Sequence, residues 1–181
     1  MKIASYLKQT NIVEYLLYMW QVEDILRAMK FDMEVITTAV INQLPVENET
    51  EYANIVEWYE NIIEMMRREN IMEKGHLQIN DNIVADLEDF HYLIYASERV
   101  PAYNAKYIHV LPIIDQFRKR SDAGMTDIEL CLTFQYGILM LKLQKKEISE
   151  ETLKSQEEIS KYLVLLTKYY HAYAEGKLDL E

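Results

Sequence analysis

Apolar residues recur along the chain at the three-to-four-residue spacing of amphipathic helices, and no stretch of any length alternates as a half-buried strand does. A first helix is predicted from about Asn11, or earlier from Ile3, to about Lys30. It is apolar nearly all round in its first half, which predicts deep burial. Its second half opens to solvent, where Glu23 and Arg27 have the i, i+4 spacing of a surface ion pair.

Capping and breaking residues divide the next part of the chain. Asp32 is the predicted N-cap of a short helix that Pro45 ends. Thr50 can cap a helix over about Glu51–Lys74, and Gly75 is expected to end it in the left-handed conformation.

The second half of the chain predicts four more helical segments, the first over about residues 79–99. Pro101 opens the next one at its first turn, and Pro112 is expected to kink that helix or split it in two. Thr126 caps a helix that is apolar on nearly every side and is expected in the centre of the fold, and Ser149 starts the last helix.

Composition supports the same fold class. The chain has 4 Gly and 3 Pro among 181 residues, too few for the frequent turns of a sheet protein, while half of the residues are hydrophobic. The sequence therefore predicts an all-α fold, a single-domain bundle of about six or seven helices over residues 1–181.

Charge and cysteine usage limit the partners and the compartment. The net charge of −11 opposes binding to nucleic acid or to an anionic membrane surface. Cys131 is the one cysteine, in an apolar helix, where a small core side chain is expected. No signal-peptide run or membrane-spanning run is found, so we expect a cytoplasmic protein.

Four segments carry a resemblance to a known family: "NIVEYLLYMWQVEDILRA", the "EKGHLQ" turn, "LEDFHYLIYA" and "YGILMLKLQKKEISEET". Over almost the whole chain, the sequence resembles an uncharacterised bacterial all-helical family of the domain-of-unknown-function type. The resemblance implies a helical single domain in the bacterial cytoplasm. It implies no activity, substrate, cofactor or functional residue.

Glu14 is the one formal charge between Asn11 and Val22, and Tyr18 and Gln21 follow it at helical spacing. If this side of the helix is buried, the carboxylate needs a partner, because an unpaired buried charge is strongly destabilising. We expect Arg67 or His91 to supply it. Glu14 is then either a structural group that sets the helix register or a pocket carboxylate with a raised pKa.

His91 projects onto the buried side of its helix, where a lone histidine is usually a hydrogen-bonded core residue. Glu88 and His91 also have the Glu-x-x-His spacing of di-iron bundles, but the motif occurs once and Glu88 projects toward the rim. We therefore predict no bound metal and no cofactor. His76, beside Gly75, is expected to cap a carbonyl or to be exposed.

Trp58, Met65 and Met72 repeat every seven residues beside the main apolar face of their helix. This stripe indicates either a broad core contact or a subunit interface rich in Trp and Met. Two functions remain open. One is a non-catalytic interaction or adaptor domain that forms a homodimer. The other is a small-ligand-binding or enzymatic domain with an intra-bundle pocket lined by four residues: Glu14, Tyr18, Gln21 and His91.

Overall fold

The computed structural model describes residues 1–121 and 123–180, and its regular structure within these residues is helical, with no strand. The all-α prediction is confirmed. The helices are α1 (Lys2–Thr10), α2 (Ile12–Ala28), α3 (Met33–Ala39), α4 (Glu49–Arg68), α5 (Gln78–Ala96), α6 (Pro101–Arg118), α7 (Asp127–Leu143) and α8 (Glu150–Ala174), with a short 3₁₀ turn at Ile41–Gln43. The described part of the chain thus has eight α-helices, because the first predicted helix is broken at Asn11.

The chain forms two compact units. The first contains Met1–Gln9 and Glu14–Asp81, and the second contains Thr10–Val13 and Asn82–Glu181. A single domain over residues 1–181 therefore stays a prediction.

In the first unit, side-chain caps set the starts of α3 and α4. The Asp32 side chain accepts hydrogen bonds from the backbone N–H groups of Glu34 and Val35, as predicted for the N-cap of α3. Just before it, Lys30 and Phe31 have positive φ angles of 53° and 60°, so the chain turns sharply after α2. Two buried side chains of α2, Leu16 and Leu26, have no exposed surface.

Both predicted ends of α4 are wrong. Asn48, not Thr50, is the N-cap, and its side chain accepts the Glu51 N–H. The helix ends at Arg68, where Asn70 adopts a φ of 58°, a conformation that asparagine tolerates well. Gly75 does have a positive φ, but it lies in the segment between α4 and α5.

In the second unit, α6, α7 and α8 pack against one another. Pro112 lies inside α6, which is continuous over Pro101–Arg118, so the predicted splitting is wrong. Thr126 and Glu129 form a full capping box at the start of α7, and Ser149 caps α8, as predicted. Cys131 is buried, as expected for a small core side chain.

Helix α7 is only partly central. Residues on one side are buried, among them Leu132, Gln135 and Ile138, whereas Gly137 is exposed and Leu143 is 56% exposed. The absence of charge predicted burial all round, but the helix is covered on one side only. Within the described residues, no helix has the length and apolar character needed to cross a bilayer.

Candidate functional site

The most buried charged group of the first unit is Glu23, on the second half of α2. Its side chain has no exposed surface. One carboxylate oxygen, Oε1, accepts the Leu77 N–H at 3.2 Å and the Asn80 amide at 2.7 Å. The other, Oε2, lies 2.7 Å from His76 Nδ1. Three donors from residues 76–80 therefore converge on this carboxylate, and we call Glu23, His76, Leu77 and Asn80 the Glu23 cluster.

His76 is held on two sides. Because a carboxylate can only accept hydrogen bonds, Nδ1 of His76 carries the proton and donates it to Glu23. The imidazole also stacks on the Trp20 ring, with centroids 4.2 Å apart and planes 15° apart. Its side chain remains 31% exposed. The expectation that His76 caps a carbonyl or is simply exposed is therefore wrong.

Arg27, one turn further along α2, also binds the segment between α4 and α5. Its guanidinium donates to the Ile71 carbonyl at 3.1 Å and to the Gly75 carbonyl, and it pairs with Asp24 at 2.8 Å. The predicted ion pair between Glu23 and Arg27 does not form, because each side chain binds the 71–80 segment instead.

The geometry of the Glu23 cluster indicates a structural role. A histidine oriented by a carboxylate can act as a general base, with the opposite ring nitrogen as the reactive atom. Glu23, however, accepts hydrogen bonds from three groups, two of them in fully buried residues, Leu77 and Asn80. Over residues 1–121 and 123–180 there is no group of three or more His, Cys, Asp or Glu suited to a metal ion. The cluster therefore holds the loop between α4 and α5 onto α2.

The prediction of a buried Glu14 is wrong, because this side chain is exposed. Nine residues separate it from Glu23, about two and a half helical turns, so the two carboxylates lie on opposite sides of α2. A buried structural carboxylate exists on this helix, but it is Glu23.

The other residues of the first unit that were predicted near Glu14 are exposed or half-buried. Arg67, a predicted partner, is exposed at the end of α4. Tyr18 is half-buried, and its hydroxyl donates to the Met1 sulfur at 3.2 Å. Burial raises the pKa of Tyr18, and the neighbouring Tyr59 hydroxyl adds to the effect. Gln21 is half-buried.

His91 belongs to the second unit, where it is a hydrogen-bonded core residue, as predicted. Its Nδ1 lies 2.7 Å from the Tyr103 hydroxyl and 3.0 Å from the Tyr162 hydroxyl, and these two hydroxyls are 2.9 Å apart. Burial lowers the pKa of His91, an effect that Glu88 and Asp127 oppose. A neutral imidazole that carries its proton on Nε2 accepts a hydrogen bond from a tyrosine hydroxyl at Nδ1. Neither unit by itself brings together all four predicted ligand-binding residues.

Glu88 was expected toward the rim of α5, but it is 6% exposed. Its Oε2 accepts the Ile128 N–H at 3.1 Å, in the first turn of α7. That N–H has no partner within its own helix, and a carboxylate is favourable at the positive end of the helix dipole. Glu88 therefore joins α5 to the start of α7.

The predicted interface stripe is only partly on one helix. Trp58 and Met65 are half-buried on α4, and the Trp58 ring meets the Tyr59 ring edge-on at 5.0 Å. Met72 is half-buried too, but it lies beyond the end of α4 because the helix stops at Arg68.

The first unit also has an open groove of about 1020 Å³ between α1 and the start of α4. Apolar side chains contribute much of its wall, including Ile3, Tyr6, Leu44, Pro45 and Ile55. None of the four predicted ligand-binding residues lines it.

Sequence reasoning missed Glu23 and Asn80, whose partners are more than fifty residues away along the chain. One signal pointed to the place. The "EKGHLQ" turn contains Gly75, His76 and Leu77, all of which contact Glu23 or Arg27.

Fold and site together define an all-helical protein whose best-formed polar cluster fastens one of its own loops. The chain belongs to the family described as "Domain of unknown function (DUF4924)", whose model matches residues 1–177. No curated protein and no solved structure matches it. The predicted membership of a helical family of unknown function is confirmed.

Proposed function

We propose that the protein is a non-catalytic helical interaction domain that forms a homodimer through α4. The observation that carries the proposal is the half-buried Trp58 in line with Met65. Tryptophan and methionine are enriched in protein interfaces, and a partly covered tryptophan gains a large apolar contact when a partner closes over it. Met72 is the third proposed interface residue.

A second copy of the chain is the occupant that this surface fits. In an antiparallel pair of α4 helices centred between Trp58 and Met65, each tryptophan lies level with the methionine of the other copy. Sulfur–aromatic contacts of this kind are favourable.

The ligand-binding or enzymatic alternative has less support. Glu14 is exposed, and the 1020 Å³ groove is lined by other residues. His91 has its Nδ1 occupied by two tyrosine hydroxyls. The best-formed carboxylate–histidine pair, Glu23 and His76, is engaged in holding a loop.

We place this domain in the bacterial cytoplasm, consistent with the bacterial family that its sequence resembles. The only cysteine, Cys131, is buried in the second unit, and a chain without disulfides suits a reducing compartment. Fractionation of cells that produce the tagged protein tests the location, and recovery from an oxidising compartment would contradict it.

Sedimentation equilibrium tests the dimer. We expect the wild-type chain to dimerise at tens of micromolar and Trp58→Ala to raise the dissociation constant at least tenfold. Tyr6→Ala, which removes an aromatic ring that is 66% exposed in the same unit, is the matched control and should leave the constant unchanged. A monomeric wild type, or equal effects of the two substitutions, would overturn the proposal.

A further inference from the structure

His76 of the Glu23 cluster has one ring nitrogen that the fastening of the loop does not use. Its Nδ1 donates to Glu23 at 2.7 Å, and the ring stacks on Trp20. Within residues 1–121 and 123–180, the opposite nitrogen, Nε2, has no hydrogen-bond partner and keeps solvent-accessible surface. Nε2 is therefore an atom that a group from outside the chain can reach.

The hydrogen bond to Glu23 decides which nitrogen of His76 can act as a nucleophile. The carboxylate only accepts, so the proton lies on Nδ1, and the lone pair of the neutral imidazole lies on Nε2. A carboxylate on one ring nitrogen also makes the other nitrogen more basic. Because Glu23 has no exposed surface, water does not weaken this interaction as it does at the protein surface.

Both contacts of the His76 ring stabilise positive charge on it. An imidazole that keeps its Nδ1 proton becomes cationic when Nε2 bonds to an electrophilic group. The bond to Glu23 is then charge-assisted. The face of Trp20, with ring centroids 4.2 Å apart, is a favourable surface for a cation. A metal ion fits this place poorly, because the described residues contain no group of three or more His, Cys, Asp or Glu that could hold one.

We propose that His76 is a phosphoryl-acceptor site, where Nε2 takes the phosphoryl group of a donor of the phosphoramidate class. The Nε2–P bond forms as the P–N bond of the donor breaks, and the donor nitrogen leaves with the electron pair as a neutral amine. Nδ1 keeps its proton, which stays bonded to Glu23, so no base has to remove it. This adds a modification site to the proposed interaction domain and does not depend on the α4 dimer.

Potassium phosphoramidate is the probe, applied to the full chain, with peptide mass spectrometry at alkaline pH to locate and count the modified histidines. His109 is the internal reference, because its side chain is 62% exposed, against 31% for His76. His76 should nevertheless be modified at least about tenfold faster. The difference should vanish in urea, because unfolding separates the ring from Glu23 and Trp20. Equal rates for the two histidines in the folded chain would overturn the proposal.

The modified atom gives a second measurement that needs no substitution. Phosphorus NMR distinguishes the two phosphohistidine isomers, and the folded chain should give the Nε2 isomer at His76, since Nδ1 is held by Glu23. The Nδ1 isomer at this residue would overturn the proposal.

Glu23→Gln tests the role of the tautomer. Both buried donors bind Oε1, so the glutamine oxygen takes that place and its amide donates to Nδ1 of His76. The ring proton then moves to Nε2, which loses its lone pair. A carboxylate-to-amide change of this kind holds the wrong tautomer, so phosphorylation of His76 should fall at least about tenfold.

The same samples contain the controls for Glu23→Gln. His109 should react at its wild-type rate, and circular dichroism should show the helical fold retained. Glu14→Gln, on the exposed side of α2, is the matched variant and should leave the modification of His76 unchanged. An unchanged rate at His76 in Glu23→Gln, or equal losses in the two variants, would overturn the proposal.

Discussion

Replacing Glu23 by alanine removes the acceptor of three hydrogen bonds at once. Two of the donors, the Leu77 N–H and the Asn80 amide, belong to residues with no exposed surface. Each buried group left without a partner costs about 1–3 kcal/mol. The third donor, His76, is 31% exposed and can bind water instead. We therefore expect Glu23→Ala to lower the free energy of unfolding by about 2–6 kcal/mol, the combined cost of leaving these two buried donors unpaired.

Glu23→Gln should cost less stability than Glu23→Ala, because one carboxylate oxygen of Glu23 accepts from both buried donors. Both buried donors bind the same oxygen of Glu23, Oε1. A glutamine whose amide oxygen takes that place keeps both bonds, and its amide group then faces His76, which can change tautomer to accept. Glu23→Gln should therefore cost only about 1–2 kcal/mol. Glu14→Ala, on the exposed side of the same helix, is the control and should stay within about 0.5 kcal/mol of wild type.

Urea unfolding followed by tryptophan fluorescence is the suitable assay. Both tryptophans, Trp20 and Trp58, lie in the first unit, and Trp20 stacks on His76 of the Glu23 cluster. The signal therefore reports on the unit that contains the substitution. If Glu23→Ala cost no more than Glu14→Ala, the cluster would not stabilise the fold and our reading of it would be refuted.

Three further predictions concern the second unit. Burial lowers the pKa of His91, so the unfolded chain binds its proton more tightly. The free energy of unfolding should fall as the pH drops below about 6.5, and His91→Gln should remove that part of the dependence in urea titrations at pH 7.5 and 5.5. Tyr103→Phe and Tyr162→Phe should each lower the free energy of unfolding by about 0.5–1.5 kcal/mol. In each variant the hydroxyl of the other tyrosine can still donate to His91. The double variant should cost more than their sum, and simple additivity would contradict this redundancy. Burial raises the pKa of the Cys131 thiol, so Ellman's reagent should label it only after unfolding, and labelling within minutes in native buffer would contradict its burial.

Much of the fold could be predicted because its signals are local. The caps Asp32, Thr126 and Ser149 act within one helical turn, and all three are confirmed. The end of α4 was missed because Gly75 is the stronger formal signal, whereas the chain turns at Asn70. Both residues take positive φ, and the sequence favours the glycine although the helix ends before the asparagine.

The sequence predicted the type of site, a buried carboxylate on the first long helix, but not which residue forms it. A buried carboxylate on the apolar first helix was expected at Glu14, whereas the structure has it at Glu23. On a helix that is apolar nearly all round, the periodicity does not reveal which side the charge must face. The partners decide it, and His76 and Asn80 lie more than fifty residues further along the chain. Such tertiary contacts leave no periodic signal in the sequence.

The contacts between α2 and the loop after α4 determine which substitutions, insertions and deletions that loop can accept. Arg27 binds the carbonyls of Ile71 and Gly75, and Glu23 binds the N–H of Leu77. These contacts are to the backbone, so replacing the side chain of Ile71 leaves the bonded carbonyl in place. Adding or removing one residue between Ile71 and Leu77 would displace the acceptors and the donor together. Apart from Gly75, which has a positive φ, and His76, whose side chain is bonded to Glu23, this segment should therefore tolerate changes of composition far better than changes of length.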